Sequence, residues 1–231
     1  MIRPFLLLLV SCLLAACAAR QPLPNDSAVL TPGAVVETLS STITLSLRTA
    51  EKNLAGRGVM VYRRPDQLRL ILLSPFGTTV MEALVSGDQL TLAYPASGVA
   101  YQGKINELPA ATGQRGFAML RWVLASDAPA GAPHDGEMER LSSRGGIERI
   151  SLQNGQVVEK NLPGGEQVRY RNHAVLAGVR LPLELLMMSA EGDRIRLTLE
   201  EPEVNIPLED QMFTIPLQGL RLLPLSELKS P

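Results

Sequence analysis

The sequence predicts a mainly β protein with one helical insertion, and three observations lead to this prediction. Apolar and polar residues alternate along about eleven short segments, as in strands that bury one face and expose the other. Turn-forming pairs such as Gly87-Asp88, Asn154-Gly155 and Gly192-Asp193 separate several of these segments. Residues 114–125 follow the helical period instead. The expected architecture is therefore a meandering antiparallel sheet or barrel, interrupted once by a helix.

The clearest strand runs from Arg194 to Leu199, where every second residue is apolar and the others are polar. Such a strand belongs to a sheet with one face in water. Before the first strand, a short helix is expected over Val35 to Leu39, starting near Pro32. The predicted strands cover residues 43–47, 59–62, 68–73, 79–85, 90–94, 147–152, 156–162, 166–171, 179–187 and 193–200.

The helical insertion places Phe117, Leu120 and Leu124 at positions i, i+3 and i+7, on one face of an amphipathic helix. The single tryptophan, Trp122, lies on the same segment. It has two readings, as a core residue or as part of a lid or interface. Residues 126–136 are rich in Pro, Ala and Gly and predict a loop.

Composition limits the function classes. The chain of 231 residues has 22 Lys and Arg against 23 Asp and Glu, so it lacks the basic surplus typical of nucleic-acid binding. Apolar residues make up 45% of the chain but aromatic residues only 4%, so the interior is aliphatic. An aliphatic interior suits alkyl chains as a ligand and suits an ordinary packed core equally well.

The N-terminal residues predict a targeting signal. Arg3 precedes a leucine-rich run that is too short to span a bilayer, and Leu14-Ala15-Ala16-Cys17 follows. This ending resembles the lipobox of bacterial lipoproteins, which implies cleavage before Cys17 and lipidation of that cysteine. An ordinary secretory signal with an incidental cysteine is the alternative reading.

The lipobox divides the chain into a signal peptide (1–16), a lipidated cysteine with a flexible tether (17–33) and a single domain (34–231). The tether carries several prolines and no periodic pattern. Two acyl chains hold a protein stably on a membrane. Ala18, not Asp, follows the cysteine. Resemblance to lipoprotein sorting in Gram-negative bacteria then implies an anchor in the outer membrane, on its periplasmic face.

Catalytic motifs are missing from the sequence. Cys12 leaves with the signal peptide and Cys17 is consumed by lipid, so no thiol remains. The two histidines, His134 and His173, belong to no metal-binding or nucleophile motif. We therefore predict no catalytic residues, no metal and no cofactor, and a protein that is not an enzyme.

Three segments resemble the LolB family of outer-membrane lipoproteins. Residues 68–79, LRLILLSPFGTT, resemble its arginine- and leucine-rich strand leading into an Asn-Pro-Leu-Gly-Ser-Thr type loop. Residues 120–124, LRWVL, resemble its Leu-Arg-x-Trp-Ile-Leu helix with the tryptophan shifted by one. Residues 181–185 and 192–197 resemble its closing strands. One departure is residues 205–216, which look more like the C-terminal segment of the periplasmic carrier LolA.

The resemblance implies an incomplete, unclosed antiparallel barrel whose α-helical lid encloses an apolar cavity. It also implies a monomer that takes acylated lipoproteins from a LolA-like donor and helps insert them into the outer membrane. A LolA/LolB-fold lipoprotein that binds another lipid, or that supports envelope assembly, is the alternative. The lid would carry Phe117, Leu120, Trp122 and Leu124.

Two groups of residues are candidates for this function. Phe76, between Pro75 and Gly77, matches the family loop that projects toward the membrane; its alternative role is to fold back and cap the barrel. The second group consists of aliphatic residues on one face of each strand that would line the cavity. Two alternatives stay open: the opposite faces line the cavity, or these residues form a plain packed core. These are Leu70, Leu72, Val80, Leu90, Leu92, Ile195, Leu197 and Leu199.

Overall fold

The computed structural model describes residues 29–31, 33–49, 53–109, 128–129, 131–142 and 146–228. These residues form thirteen strands and several single turns of 3-10 helix. The strands are β1 (Thr38–Arg48), β2 (Asn53–Arg63), β3 (Gln67–Leu73), β4 (Thr79–Ser86), β5 (Gln89–Tyr94), β6 (Val99–Lys104), β7 (Gly136–Leu141), β8 (Ile147–Gln153), β9 (Gln156–Asn161), β10 (Gln167–Leu176), β11 (Val179–Met188), β12 (Arg194–Val204) and β13 (Arg221–Pro224).

All thirteen strands belong to one sheet, in the order β13-β6-β5-β4-β3-β2-β1-β12-β11-β10-β9-β8-β7. The pairs are antiparallel except for β13 with β6, which is parallel. Strands β12 and β1 pair at the centre, so the first and last long strands join two meanders into one surface. The sheet stays unclosed, with β7 and β13 as its edges.

The predicted fold class is wrong in two respects. The described part of the chain holds thirteen strands rather than about eleven, and it contains no α-helix that could act as a lid. Residues 114–125, where the lid helix was expected, lie outside the described residues. The short helix expected over Val35 to Leu39 is also absent; Thr38 already begins β1, whose alternating residues pair with β2 and β12. Pairing on both sides satisfies backbone groups that an isolated helical turn would leave exposed.

The inner face of the sheet forms one continuous apolar cluster. Alternate residues of each central strand point inward, as the period of two requires, and Leu45 and Leu197 lie directly opposite each other across β1 and β12. Strands β8 and β11 contribute Ile150 and Leu185, which are fully buried. Burial of apolar area on this scale is the main stabilising term of the fold.

Three five-residue hairpin turns of the described residues lie at one end of the sheet, here called the Phe76 end, where the β5–β6 connection also lies. They cover residues 74–78, 162–166 and 189–193, and β1 also finishes there at Arg48. The opposite end is closed by Ile105, Leu225 and Leu228, all buried. Because one end is packed with apolar side chains, access to the inner face is favoured from the Phe76 end.

The segment after β12 covers part of the outer face of the sheet. Arg63 stacks 4.4 Å above the ring of Phe213 and makes an ion pair of 2.6 Å with Asp210. Arg69 pairs with Glu82 at 2.5 Å and donates to the carbonyl of Met212. The segment thus covers β2 to β4 from outside, while the outer faces of β10 and β12 keep solvent-exposed arginines, namely Arg169, Arg171, Arg194 and Arg196.

Candidate functional site

The turn at the Phe76 end is held by the side chain of Ser74. Its hydroxyl accepts hydrogen bonds from the backbone N–H groups of Phe76 and Thr78, both at 3.2 Å, and lies 2.7 Å from the Thr78 hydroxyl. The backbone N–H of Gly77 donates to the Ser74 carbonyl at 2.9 Å, and Gly77 has a φ of +80°. This is the three-residue hairpin loop in which a left-handed glycine follows a type I turn. Pro75 suits its first central position.

Phe76 points away from the protein. Its side chain is 93% exposed, the highest value among the large apolar residues described. A phenyl ring in water gains nothing from the turn, whose hydrogen bonds use only backbone groups and the Ser74 and Thr78 hydroxyls. The alternative that Phe76 folds back to cap the barrel does not match this geometry. An exposed aromatic on a rigid turn is suited to contact with an apolar surface.

Exposure of the inner face increases toward the Phe76 end on strands β1 to β3. Ile43 and Leu70 are buried at mid-strand, while Leu47 and Leu72, farther toward that end, are only half-buried. Leu54, opposite Leu47 on β2, is 50% exposed. The apolar inner face therefore reaches solvent beside the Phe76 turn, and we call Leu47, Leu54 and Leu72 the apolar rim.

Two glycines shape β2 just inside this rim. A Cβ on Gly58 would come within 1.9 Å of the Ile71 carbonyl oxygen, so the close approach of β2 to β3 requires glycine there. Gly56 lies one inward position closer to the rim, opposite Leu45. Because neither glycine has a side chain, Leu45 and Leu47 of β1 supply the apolar surface of the inner face beside them.

The structure places most of the sequence-selected aliphatic residues together. They lie on the inner face, buried except for the half-buried Leu72, within the same apolar cluster. Described residues alone do not outline an open apolar cavity around them. These residues are Leu70, Leu72, Leu90, Leu92, Ile195, Leu197 and Leu199.

Val80 is separated from that group. Leu72 pairs with Met81 but Leu73 pairs with Thr79, so a bulge leaves Val80 without a cross-strand partner. The extra residue shifts the alternation by one position, and Val80 is 48% exposed. Val80 therefore lies near the Phe76 turn rather than in the buried cluster.

The remaining selected residues fall outside the described part of the chain. Cys17 and the four residues of the expected lid, Phe117, Leu120, Trp122 and Leu124, belong to this group. Pro75 and Gly77 flank Phe76 as the sequence order requires, and both are exposed.

Sequence reasoning missed a polar patch on the inner face of β8 and β9. Glu148 and Lys160 are both nearly fully buried on an otherwise apolar face. Glu148 makes a close ion pair with Arg140 across β7 and β8. In an alternating strand, a charged residue is expected to face solvent. The burial of Glu148 and Lys160 therefore becomes evident only from the pairing of the strands.

The one His-Asp pair has a structural role. His134 Nδ1 lies 2.6 Å from Asp135 Oδ2, and Asp135 Oδ1 accepts the backbone N–H of Asn154 at 2.7 Å. That backbone hydrogen bond, assisted by His134, lowers the pKa of the Asp135 carboxyl. The pair is exposed and fastens the loop before β7 to the β8–β9 turn. Among the described residues, no group of histidine, cysteine and carboxylate side chains is arranged to hold a metal ion.

Across the part of the chain that the structure describes, no helix combines the length and hydropathy needed to cross a bilayer.

Comparison with known proteins adds a family and a fold. A family model described as outer membrane lipoprotein LolB matches residues 38–201. No curated protein is close enough in sequence to be matched. The chain is similar in structure to a DUF1329 family protein from Desulfovibrio piger ATCC 29098, with a TM-score of 0.59 and 12% identity over 78% of this chain and 90% of that one. It is also similar to a domain described as an outer membrane lipoprotein-sorting protein from Vibrio parahaemolyticus, with a TM-score of 0.52 and 10% identity over 76% and 88%.

Proposed function

The chain belongs to the LolB family of outer membrane lipoproteins, and we propose from this premise that it inserts other lipoproteins into the outer membrane. In this proposal the inner face of the sheet receives acyl chains of the cargo. The Phe76 turn contacts the bilayer and guides these chains out. The protein itself is anchored through lipid on Cys17 and acts as a monomer on the periplasmic face.

The family supports the coarser parts of this function. It supports an outer-membrane location and a lipoprotein-binding role without catalysis, with acylated lipoproteins and a LolA-type donor as partners. The fold shared with a lipoprotein-sorting domain from Vibrio parahaemolyticus agrees with that role. The insertion step goes beyond the family, and we infer it from the residues of this chain.

The observation that carries the proposal is the continuity of apolar surface toward the Phe76 end. Buried leucines on the inner face lead to Leu47 and Leu72, the half-buried part of the rim, then to the exposed Leu54 and finally to Phe76 in open solvent. An acyl chain leaving the inner face along this path would exchange one apolar contact for the next. Stable contact of Phe76 with a bilayer would continue the path into lipid.

Energy favours a path of this kind. Keeping a chain of about 16 carbons out of water is worth about 12 kcal/mol, at roughly 0.8 kcal/mol per methylene. A carrier that bound such a chain by specific bonds would release it slowly. Aliphatic contacts exchange for equal contacts in a membrane, so transfer is nearly balanced and proceeds without an energy source.

The attachment point of the tether is compatible with this orientation. The backbone N–H of Thr31 donates to the Gly178 carbonyl at 2.9 Å, at the end of the sheet opposite Phe76. A strand of the length of β1 spans about 36 Å at 3.3 Å per residue. Cys17 precedes Thr31 by a stretch that reaches at most roughly 50 Å when extended. The tether is thus long enough for Cys17 and Phe76 to meet the same bilayer.

Site-specific crosslinking tests the proposal. A photoreactive phenylalanine analogue replaces Leu72 on the inner face or, as the matched control, its neighbour Ile71 on the outer face; both positions are half-buried. Each protein is mixed with a LolA-type carrier loaded with an acylated lipoprotein. We expect crosslinks from position 72 to the acylated cargo, and none from position 71 or to cargo without acyl chains.

Crosslinks that do not depend on acylation, or that are equal at the two positions, would contradict acyl binding on the inner face. Native mass spectrometry of the purified protein adds a second readout. Acylated polypeptide as the copurifying ligand agrees with insertion of lipoproteins, whereas free lipid alone favours the alternative of a module that binds another lipid.

A further inference from the structure

A groove rich in arginine lies on the outer face of the sheet, at the Phe76 end. It has a volume of about 600 Å³ and runs across β1, β12, β11 and β10. Arg48, Arg169, Arg194 and Arg196 line it. None of these residues is used by the inner face or by the Phe76 turn.

The positive charge of this groove is only half neutralised. Arg196 Nε lies 3.4 Å from Glu184 Oε1, and Arg169 Nε lies 2.7 Å from Glu159 Oε2. The four lining arginines and their two ion-pair partners, counted by themselves, give a charge balance of +2.

The two uncompensated arginines lie opposite each other. Arg48 and Arg194 are a cross-strand pair, one at the end of β1 and the other at the start of β12. Arg48 donates to the neutral Asn53 Oδ1 at 3.2 Å, and within the described ranges neither residue has a carboxylate at ion-pair distance. Like charges placed directly across a sheet oppose folding slightly. A bound anion that contacts both guanidinium groups would remove this repulsion.

The walls of the groove also match a particular chemistry. Guanidinium groups bind phosphate oxygens with two parallel hydrogen bonds, better than ammonium groups do. Leu186 and Met188, both half-buried, line the groove between the arginines. Phosphate oxygens with apolar groups attached are the combination found at the surface of a phospholipid bilayer.

The closeness of the groove to Phe76 also favours a phospholipid membrane as the partner. Arg48 is the last residue of β1 and Arg194 the first of β12, both at the Phe76 end. Arg169 and Arg196 lie two residues farther from that end, about 7 Å along their strands. Strand β1 is two strands away from β3, which is about 10 Å. A ring that enters the acyl boundary, with arginines close beside it, fits the interface between bilayer and water.

We propose that this arginine groove binds the phosphates of anionic phospholipid headgroups and thereby orients the Phe76 turn on the membrane. The orientation rests on the proposed function, whereas the binding of anionic lipid does not. An acidic protein surface would also be attracted by the charge. The half-buried Leu186 and Met188 and the closeness to Phe76 favour lipid.

Vesicle binding tests this proposal with the chain from Ala18 onward, which retains all thirteen strands and lacks the anchor. The probes are vesicles of phosphatidylethanolamine alone and of phosphatidylethanolamine with phosphatidylglycerol at about three to one. The test variant is Arg48→Gln/Arg194→Gln. Its matched control, Arg171→Gln/Arg180→Gln, removes the same charge from β10 and β11 farther from the Phe76 end.

We expect tighter binding to the phosphatidylglycerol vesicles for the parent protein and for the control. Each arginine near an anionic surface contributes about fivefold to partitioning, so the test variant should lose about 25-fold. Inorganic phosphate at the same phosphate concentration should displace little, because a free ion has no apolar part for Leu186 and Met188.

Equal losses in the test and control variants would overturn the proposal, since they would reflect net charge only. An unchanged preference for phosphatidylglycerol in the test variant would also overturn it. If that variant lost binding to the LolA-type donor instead, the groove would be a protein-binding site and the proposal would fail in the same way. Failure of the proposed function looks different: lipoprotein transfer would be missing while the preference for anionic vesicles remained intact.

Discussion

The turns at residues 74–78 and 189–193 share one backbone design but present different side chains. In each, the N–H of the first residue, Ser74 or Ser189, donates to the carbonyl of the fifth residue at 2.8 or 2.9 Å. In each, a left-handed glycine at the fourth position donates back to the serine carbonyl. The serine hydroxyl accepts the N–H of the fifth residue at 3.2 Å in both.

The third position is where the two turns differ. It is Phe76 in the first turn and Glu191 in the second. A third turn at the same end, residues 162–166, has the same two backbone hydrogen bonds and carries a glycine at that position. Since the design accepts glycine, glutamate or phenylalanine, folding does not select the phenyl ring of Phe76. The proposed contact of Phe76 with the membrane would account for the ring at this position.

The largest effect is expected from Phe76→Glu, which gives the first turn the residue of the second. Removing a phenyl contact with lipid forfeits about 1.5–3 kcal/mol, so lipoprotein insertion into vesicles should fall by about 10- to 100-fold. The free energy of unfolding should change by less than about 0.5 kcal/mol, because the residue is exposed. Transfer of labelled lipoprotein to liposomes and thermal unfolding measure the two effects.

The folded variant must also keep its binding of cargo for that comparison to be informative. Normal insertion by Phe76→Glu would show that the two turns are functionally equivalent and would remove Phe76 from the mechanism.

Exchanging the two residues sharpens the comparison. The double variant Phe76→Glu/Glu191→Phe moves the ring by four strand spacings, about 19 Å, away from the apolar rim and toward the arginine groove. We expect vesicle binding to return toward the parent level while lipoprotein insertion stays at least about tenfold low, because the displaced ring no longer adjoins Leu54 and Leu72. Flotation with liposomes measures binding, and the transfer assay measures insertion.

Recovery of insertion along with binding would mean that any exposed aromatic at this end suffices. The apolar rim would then have no special role.

A smaller effect is expected from Ser74→Ala. It removes a hydroxyl that accepts two backbone N–H groups and contacts Thr78, and each net hydrogen bond is worth about 1 kcal/mol. Unfolding in urea should show a loss of about 1 kcal/mol, with insertion reduced less than in Phe76→Glu. Ser189→Ala is the matched control, and it should lose stability with no effect on insertion.

The smallest effect is expected from Tyr94→Phe, just before another connection at the Phe76 end. The Tyr94 hydroxyl is buried with no hydrogen-bond partner among the described residues, and its ring contacts Tyr101 edge to face with centroids 6.1 Å apart. Removing an unsatisfied hydroxyl should raise stability at neutral pH by up to about 1 kcal/mol. Chemical unfolding at neutral pH measures this difference.

The same variant has an alkaline signature. Burial, with help from Tyr101, raises the pKa of Tyr94 to about 12 from 10.0. The folded protein therefore keeps this proton at a pH where the unfolded chain releases it, so stability falls as the pH rises from 10 to 12. Tyr94→Phe should lose less stability over that interval. An identical pH dependence in both proteins would contradict the burial of the hydroxyl.

Alternation predicted the central strands better than the edges. The pattern identified β3, β5 and β12, because their inner residues pack against neighbours on both sides. It missed β6, β7 and β13. Strands β7 and β13 are edges of the sheet and largely exposed, so they need no apolar alternation. Strand β6 has small or polar residues at most positions and is recognised only through its partners β5 and β13.

The site was predictable to a similar degree. Phe76 was identified as a candidate because the turn itself does not need an aromatic residue between proline and glycine. The bulge that exposes Val80 depends on how β3 pairs with β4, which local periodicity does not encode. The arginine groove joins residues as distant in sequence as Arg48 and Arg194, and none of them forms a motif.

From sequence alone came the mainly β class, the inner residues of the central strands, the family resemblance and the choice of Phe76. These follow from patterns within a few residues of the chain, where alternation and turn chemistry act. The tertiary structure alone decided the number of strands, the open edges, the rim and the arginine groove. These depend on which strands pair and in which register, because pairing determines which side chains water can reach.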